Sequence, residues 1–134
     1  MVIKMRHDKK EKLDILLKYL PPIFASLAEK DTDSLCEIRL RADKPAVIVY
    51  SDRMDFITKT GRLTGFYSND LFIPTRPETE EIFVRLCGYS VHSLTDNIAD
   101  GFITLDGGIR IGVYGTAVVR DGRITSVRNV EGLN

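Results

Sequence analysis

The chain has 134 residues, 43% of them hydrophobic and 28% charged, the composition of an ordinary globular domain rather than a disordered or fibrous one. Its 19 Lys and Arg balance 19 Asp and Glu, which argues against a general nucleic-acid binder, whose affinity rests on neutralising phosphates. No apolar run is long enough to span a bilayer as a helix, and the charged N-terminus is unlike a signal peptide.

Residues 1–10 read as a polar, basic, disordered tail. From about Glu11 to Tyr19 the spacing of Leu13, Leu16, Leu17 and Leu20 predicts a helix with one apolar face. Pro21-Pro22 ends it, because the residue before a proline avoids helical geometry. Pro22 can open a second short helix that buries Ile23, Phe24 and Leu27. Residues 31–34 form a loop. Ile38 and Leu40 then alternate with Glu37, Arg39 and Arg41, the period of a half-buried strand. After a turn at Asp43-Lys44-Pro45, the β-branched run 46–50 predicts a strand covered on both faces. A turn at 51–53 leads to a third strand, 54–60, ended by Gly61-Arg62. The stretch 63–75 mixes aromatic and loop residues, with a short strand near 71–73.

Thr75 followed by Glu78 is a capping box, so a helix begins there, with Ile82, Phe83, Leu86 and Tyr89 as its apolar stripe and Gly88 as an interruption. A second helical piece, 91–99, ends at Asp100-Gly101. Phe102, Ile103 and Leu105 precede Asp106-Gly107-Gly108, and Ile109, Ile111 and Val113 alternate after it. An Asp-Gly pair between two such runs predicts a hairpin, since its turn needs positive φ. Arg110 should point away from its apolar neighbours. Gly112 and Gly115 suggest a bulge or a close approach of other backbone. Residues 116–119 extend that second strand, Asp121-Gly122 turns, and 123–130 is the closing strand. The order predicts one α+β domain over 1–134, with a mainly antiparallel sheet of about five or six strands and helices packed on one face.

Recognisable catalytic motifs are missing. There is no GxxxxGK-Ser/Thr phosphate loop, and Asp106-Gly107-Gly108 is followed by neither a lysine nor a helix N-terminus. No metalloprotease helix, nucleophile elbow or EF-hand loop occurs. His7 and His92 lie far apart, and Cys36 and Cys87 lack CxxC spacing, which points to reduced core cysteines and no metal site. The arginines stand out instead. Arg39 and Arg41 alternate along one strand and Arg110 lies on the hairpin. They form either a solvated face paired to Glu37 or to helix carboxylates, or a face that meets an anion, which guanidinium matches bidentately.

Four segments occur together and in order: Leu20-Pro21-Pro22 before a helix; Glu37-Ile38-Arg39-Leu40-Arg41 with Lys44-Pro45; Gly101 through Gly112; and Val127-Arg128-Asn129-Val130-Glu131-Gly132-Leu133-Asn134. Together they resemble the N-terminal region of the stage III sporulation protein AA family, from about Leu20 to Asn134. That family is similar to the hexameric motor ATPases of type II and type IV secretion, in which a PAS-like N-terminal α/β domain precedes a RecA-like motor. The resemblance implies a non-catalytic regulatory and oligomerisation domain, with no cofactor of its own. ATP and Mg would belong to a motor domain not present in this chain.

The implied partners are the motor domain of the same or a neighbouring subunit, in a hexameric ring, and membrane proteins of a sporulation channel. The implied location is the mother-cell cytoplasm, peripheral to the membrane. Arg39, Arg41 and Arg110 are the implied nucleotide or partner contacts, and Asp106, Gly107, Gly108 and Gly112 the structural turn. Where the family commonly has histidine after the paired glycines, this chain has Ile109, so no role of that histidine carries over. The competing reading is a stand-alone module binding nucleic acid or another ligand.

Overall fold

Short segments with apolar residues at every second position can bury them only by pairing into a sheet with one covered face. A computed structural model, which describes residues 1–5, 9–88, 102–104, 109–112, 114–120 and 123–131, shows how this chain does so. The strands are β1 (Val2–Lys4), β2 (Leu35–Arg39), β3 (Val47–Tyr50), β4 (Met54–Ile57), β5 (Leu63–Thr64), β6 (Phe102–Thr104) and β7 (Arg110–Gly112). They make one sheet of seven, in the order β5-β4-β3-β2-β1-β7-β6, with antiparallel neighbours throughout. Ile111, Ile3, Ile38 and Ile48 stand in one row across four strands, and all are buried.

Helices close that row from one side. In α1 (Lys9–Leu17) Leu13 and Leu16 are buried, and in a following 3₁₀ helix (Pro22–Ala28) so are Phe24 and Leu27. α2 (Arg76–Cys87) adds Ile82, Phe83 and Leu86 to the same core. Its start follows from sequence: Thr75 accepts from the Glu78 amide at 3.2 Å, and the Glu78 carboxylate accepts from the Thr75 amide at 3.3 Å. The α+β class with helices on one face is therefore observed.

Three local expectations need correction, and β2 holds a bulge that no expectation addressed. Residues 1–10 are not a disordered tail: Val2–Lys4 is an interior strand and Lys9 already opens α1. Met1, Val2, Ile3 and Met5 are all buried, and backbone pairing on both edges holds Val2–Lys4. This strand also raises the sheet to seven. β3 is covered on one face only, with Ile48 and Tyr50 buried but Val47 and Val49 half-buried. The strand expected to continue past the hairpin is separate: β8 (Tyr114–Arg120) pairs with β9 (Arg123–Glu131) in a two-stranded sheet of its own, and β9 runs beside α2. Finally, β2 carries a bulge between Leu35 and Glu37, which is why Leu35 and Ile38, three apart, both reach the core.

Gly61 closes the turn after β4. It has φ of +88°, and a Cβ there would lie 2.8 Å from the Ile23 backbone carbonyl. Gly61→Ala should therefore cost about 1–2 kcal/mol from the left-handed backbone alone, with the carbonyl clash in addition. Urea denaturation checks this, and a midpoint equal to the parent's would contradict it. The segments 89–101, 105–108, 121–122 and 132–134 lie outside the described residues. So do the predicted second helical piece and both Asp-Gly turns, including Asp106, Gly107 and Gly108.

Candidate functional site

The charge of this fold gathers on the sheet face turned away from the core. Lys4 alternates with the buried Ile3 and Met5, so it points outward. The register sets Glu37 of β2 on one side of Lys4 and Arg110 of β7 on the other, and sets Arg39 beside Val2. Directly opposed residues share a face, so Lys4, Glu37, Arg39 and Arg110 all stand on the outer one. Arg39 Nε lies 3.0 Å from Glu37 Oε2, and Lys4 Nζ lies 3.8 Å from Glu37 Oε1. Arg110 is exposed, between the buried Ile109 and Ile111. Lys4 and Arg39 thus share the Glu37 carboxylate. Standard strand spacing puts the Arg39 and Arg110 backbones about 12 Å apart across β1.

Of the three arginines singled out from sequence, the structure brings Arg39 and Arg110 to this face. Arg41 lies beyond the end of β2, where its carbonyl accepts from the Lys44 amide. It is half-buried, with its Nε enclosed. Its charge bears on the Met1 amine, which donates to the Leu40 carbonyl at 2.7 Å. Burial first, and Arg41 second, push that amine from its usual 8.0 down to about 5. Gly112 sits in β7 between Val2 and Phe102. The pairing of Arg39 with Glu37 is also as sequence suggested. Lys4 was missed, because a residue placed in a disordered tail has no face.

A second cluster was not foreseen. Arg53 reaches Asp31 at 2.7 Å, Asp55 at 3.1 Å and Asp52 at 3.2 Å, and its guanidinium carbon lies 4.1 Å from the Tyr50 ring centroid. The hydrogen bonds Arg53 donates to Asp31 and then to Asp55 raise its pKa further. Burial raises that of the Tyr50 hydroxyl. Asp52, Arg53 and Asp55 are near neighbours in sequence, but Asp31 comes from a distant turn, so the cluster ties two turns together. It has the form of a structural clamp.

Nothing among the described residues assembles a reaction centre. A cavity of about 320 Å³ is lined by Ser26, Glu29, Lys30, Gly61, Arg62 and Leu63. The Ser26 hydroxyl there donates to the Gly61 carbonyl at 2.6 Å. No group of His, Cys, Asp and Glu among the described residues is placed to hold a metal. Among those residues, no helix is long and apolar enough to cross a membrane. Cys36 is free, at the β2 bulge. His7 and His92 lie outside the described residues.

The profile of the family described as "Sporulation stage III, protein AA" matches residues 7–134. The chain belongs to this family. It is similar to the stage III sporulation protein AA of Bacillus subtilis (strain 168), 20% identical over 121 residues, which cover 90% of this chain and 35% of that protein. The chain thus spans about a third of the length of that curated relative. No solved structure matches. The profile match takes in β2 to β9, with Arg39, Arg41 and Arg110, whereas Lys4 and the rest of β1 lie before it.

Proposed function

We propose that this chain is the non-catalytic N-terminal regulatory and oligomerisation domain of a sporulation ATPase of the AA type. Its outer sheet face would dock against a motor domain of the same or a neighbouring subunit in a hexameric ring. ATP and Mg would be bound by that motor, which would act in the mother cell beside the membrane proteins of a channel. The observation that supports the reading is the outer face itself, where Arg39 and Lys4 share the Glu37 carboxylate and Arg110 stands exposed on the far side of Lys4. A guanidinium turned toward a γ-phosphate would stabilise transferring charge electrostatically and without a nucleophile of its own. Arg110, exposed at a strand position, is the first candidate to reach outward.

The test has two parts. The isolated chain should show no ATP turnover; turnover that survives purification and is lost on mutating a residue of this chain would refute the reading. In a full-length protein carrying the motor, Arg110→Ala should lower ATPase activity or ring assembly. The unfolding midpoint of the domain should barely move, because an exposed side chain contributes within about 0.5 kcal/mol. Unchanged activity and assembly would remove Arg110 from the site.

A further inference from the structure

Two segments far apart in sequence meet across one cavity. The first is the end of the 3₁₀ helix, with Ser26, Glu29 and Lys30, and the second is the turn from β4 to β5, with Gly61, Arg62 and Leu63. The Ser26 hydroxyl donates to the Gly61 carbonyl at 2.6 Å, and the left-handed backbone of Gly61 brings the turn closer to the Ile23 carbonyl than a Cβ would allow. Thr58 fixes the turn. Its amide donates to the Arg62 carbonyl at 2.8 Å, its hydroxyl accepts from the Arg62 amide at 3.0 Å, and its carbonyl accepts from the Gly61 amide at 3.0 Å. The cavity of about 320 Å³ is therefore held open by backbone, at the small end of the range for small-molecule sites. Three of its lining residues are charged, and Glu29, Lys30 and Arg62 have no ion-pair or hydrogen-bond partner for their side chains among the described residues.

We propose that this cavity binds a phosphorylated polyol, a small ligand with a phosphate at one end and hydroxyl groups at the other. Lys30 and Arg62 come from opposite walls; the guanidinium matches a phosphate bidentately and the ammonium adds a point charge. Two cations against one carboxylate favour an anion and disfavour a ligand ammonium. A bare anion, however, meets Glu29 as a like charge. Hydroxyl groups turn that carboxylate into a partner, because it accepts from them. The Ser26 oxygen, whose one hydrogen is committed to Gly61, accepts from them too. Leu63 gives the carbon skeleton an apolar wall. Free polyol phosphates and the headgroup of phosphatidylglycerol share this chemistry. The site uses none of Lys4, Glu37, Arg39 and Arg110 and needs no motor, so it stands or falls independently of the docking reading.

The probe is glycerol 3-phosphate, titrated into the whole chain by calorimetry beside inorganic phosphate, glycerol and phosphoethanolamine. It should bind with a Kd on the order of 1 mM or tighter, and more tightly than the other three. Arg62→Ala and Lys30→Ala should each weaken it by about tenfold, the usual share of one charge-assisted contact. Glu29, Lys30 and Arg62 are exposed, so their variants should keep the parent's unfolding midpoint. Glu29→Ala separates a ligand-binding group from a mere charge. It should weaken glycerol 3-phosphate by removing the hydroxyl acceptor, and strengthen inorganic phosphate by removing the repulsion. Vesicles of phosphatidylcholine with phosphatidylglycerol identify the source. Vesicle binding that Arg62→Ala abolishes and glycerol 3-phosphate competes away assigns a lipid headgroup, and any other vesicle result assigns the free ester. The proposal is overturned if glycerol 3-phosphate does not bind, if inorganic phosphate or phosphoethanolamine binds as tightly, if either cation variant leaves binding unchanged, or if Glu29→Ala strengthens both phosphates alike.

Discussion

Ile3→Pro is expected to abolish cooperative unfolding of this domain, although it changes the third residue of the chain. Ile3 is fully buried and stands opposite Ile38 on one side and Ile111 on the other. A residue with paired strands at both edges has no solvent toward which a lost backbone donor can turn. Proline removes that donor and restricts φ, at a cost of about 3 kcal/mol or more in a regular element. A domain of this size is stable by only about 5–15 kcal/mol. The damage also spreads. β1 joins β2-β3-β4-β5 to β7-β6, and these two groups do not pair with each other. Ile3→Ala keeps the donor and should cost about 2–5 kcal/mol through the cavity alone. Lys4→Ala, on the open face, should stay within about 1 kcal/mol. Chemical denaturation followed by circular dichroism ranks the three. A proline variant that unfolds at the parent's midpoint would mean that β1 is not an interior strand.

That strand also shows where reading the sequence stops. Met1, Val2, Ile3 and Met5 are apolar around one lysine, but over five residues beside a basic stretch that pattern is too short to separate a strand from a tail. What makes it a strand is non-local, namely the partners Glu37, Ile38 and Arg39 and Arg110, Ile111 and Gly112. The capping box of α2 was readable because Thr75 and Glu78 are three residues apart and need no other partner. The Leu13 and Leu16 stripe was readable for the same reason.

The site divides in the same way. Alternation along one strand placed Arg39 correctly, and alternation within the hairpin placed Arg110. Arg41 departs from the pattern because β2 ends at Arg39, and strand ends depend on neighbours. The bulge at Leu35 and Cys36 likewise changes which side chains face inward, and no residue type there announces it. That β3 is covered on one face only was hidden because Val47-Ile48-Val49 looks alike whether one face is covered or both. The helices decide which, and they lie on the Ile48 side.

Phe24→Ala should be the most damaging truncation on the helical side, at about 3–5 kcal/mol. Phe24 is fully buried, and its ring meets Phe72 edge-on, with centroids 5.7 Å apart and planes at 85°. Phe72 is tied by its backbone to two strands: its amide donates to the Ile57 carbonyl at 2.8 Å, and its carbonyl accepts from the Ala46 amide at 3.1 Å. The aromatic pair therefore fastens the 3₁₀ helix to the β3-β4 part of the sheet. Phe24→Leu keeps most of the volume and should cost about 1.5 kcal/mol or less. A double-mutant cycle of Phe24→Leu with Phe72→Leu should give a coupling of about 0.5–1.5 kcal/mol, the edge-to-face share. A coupling near zero would reduce the pair to simple burial.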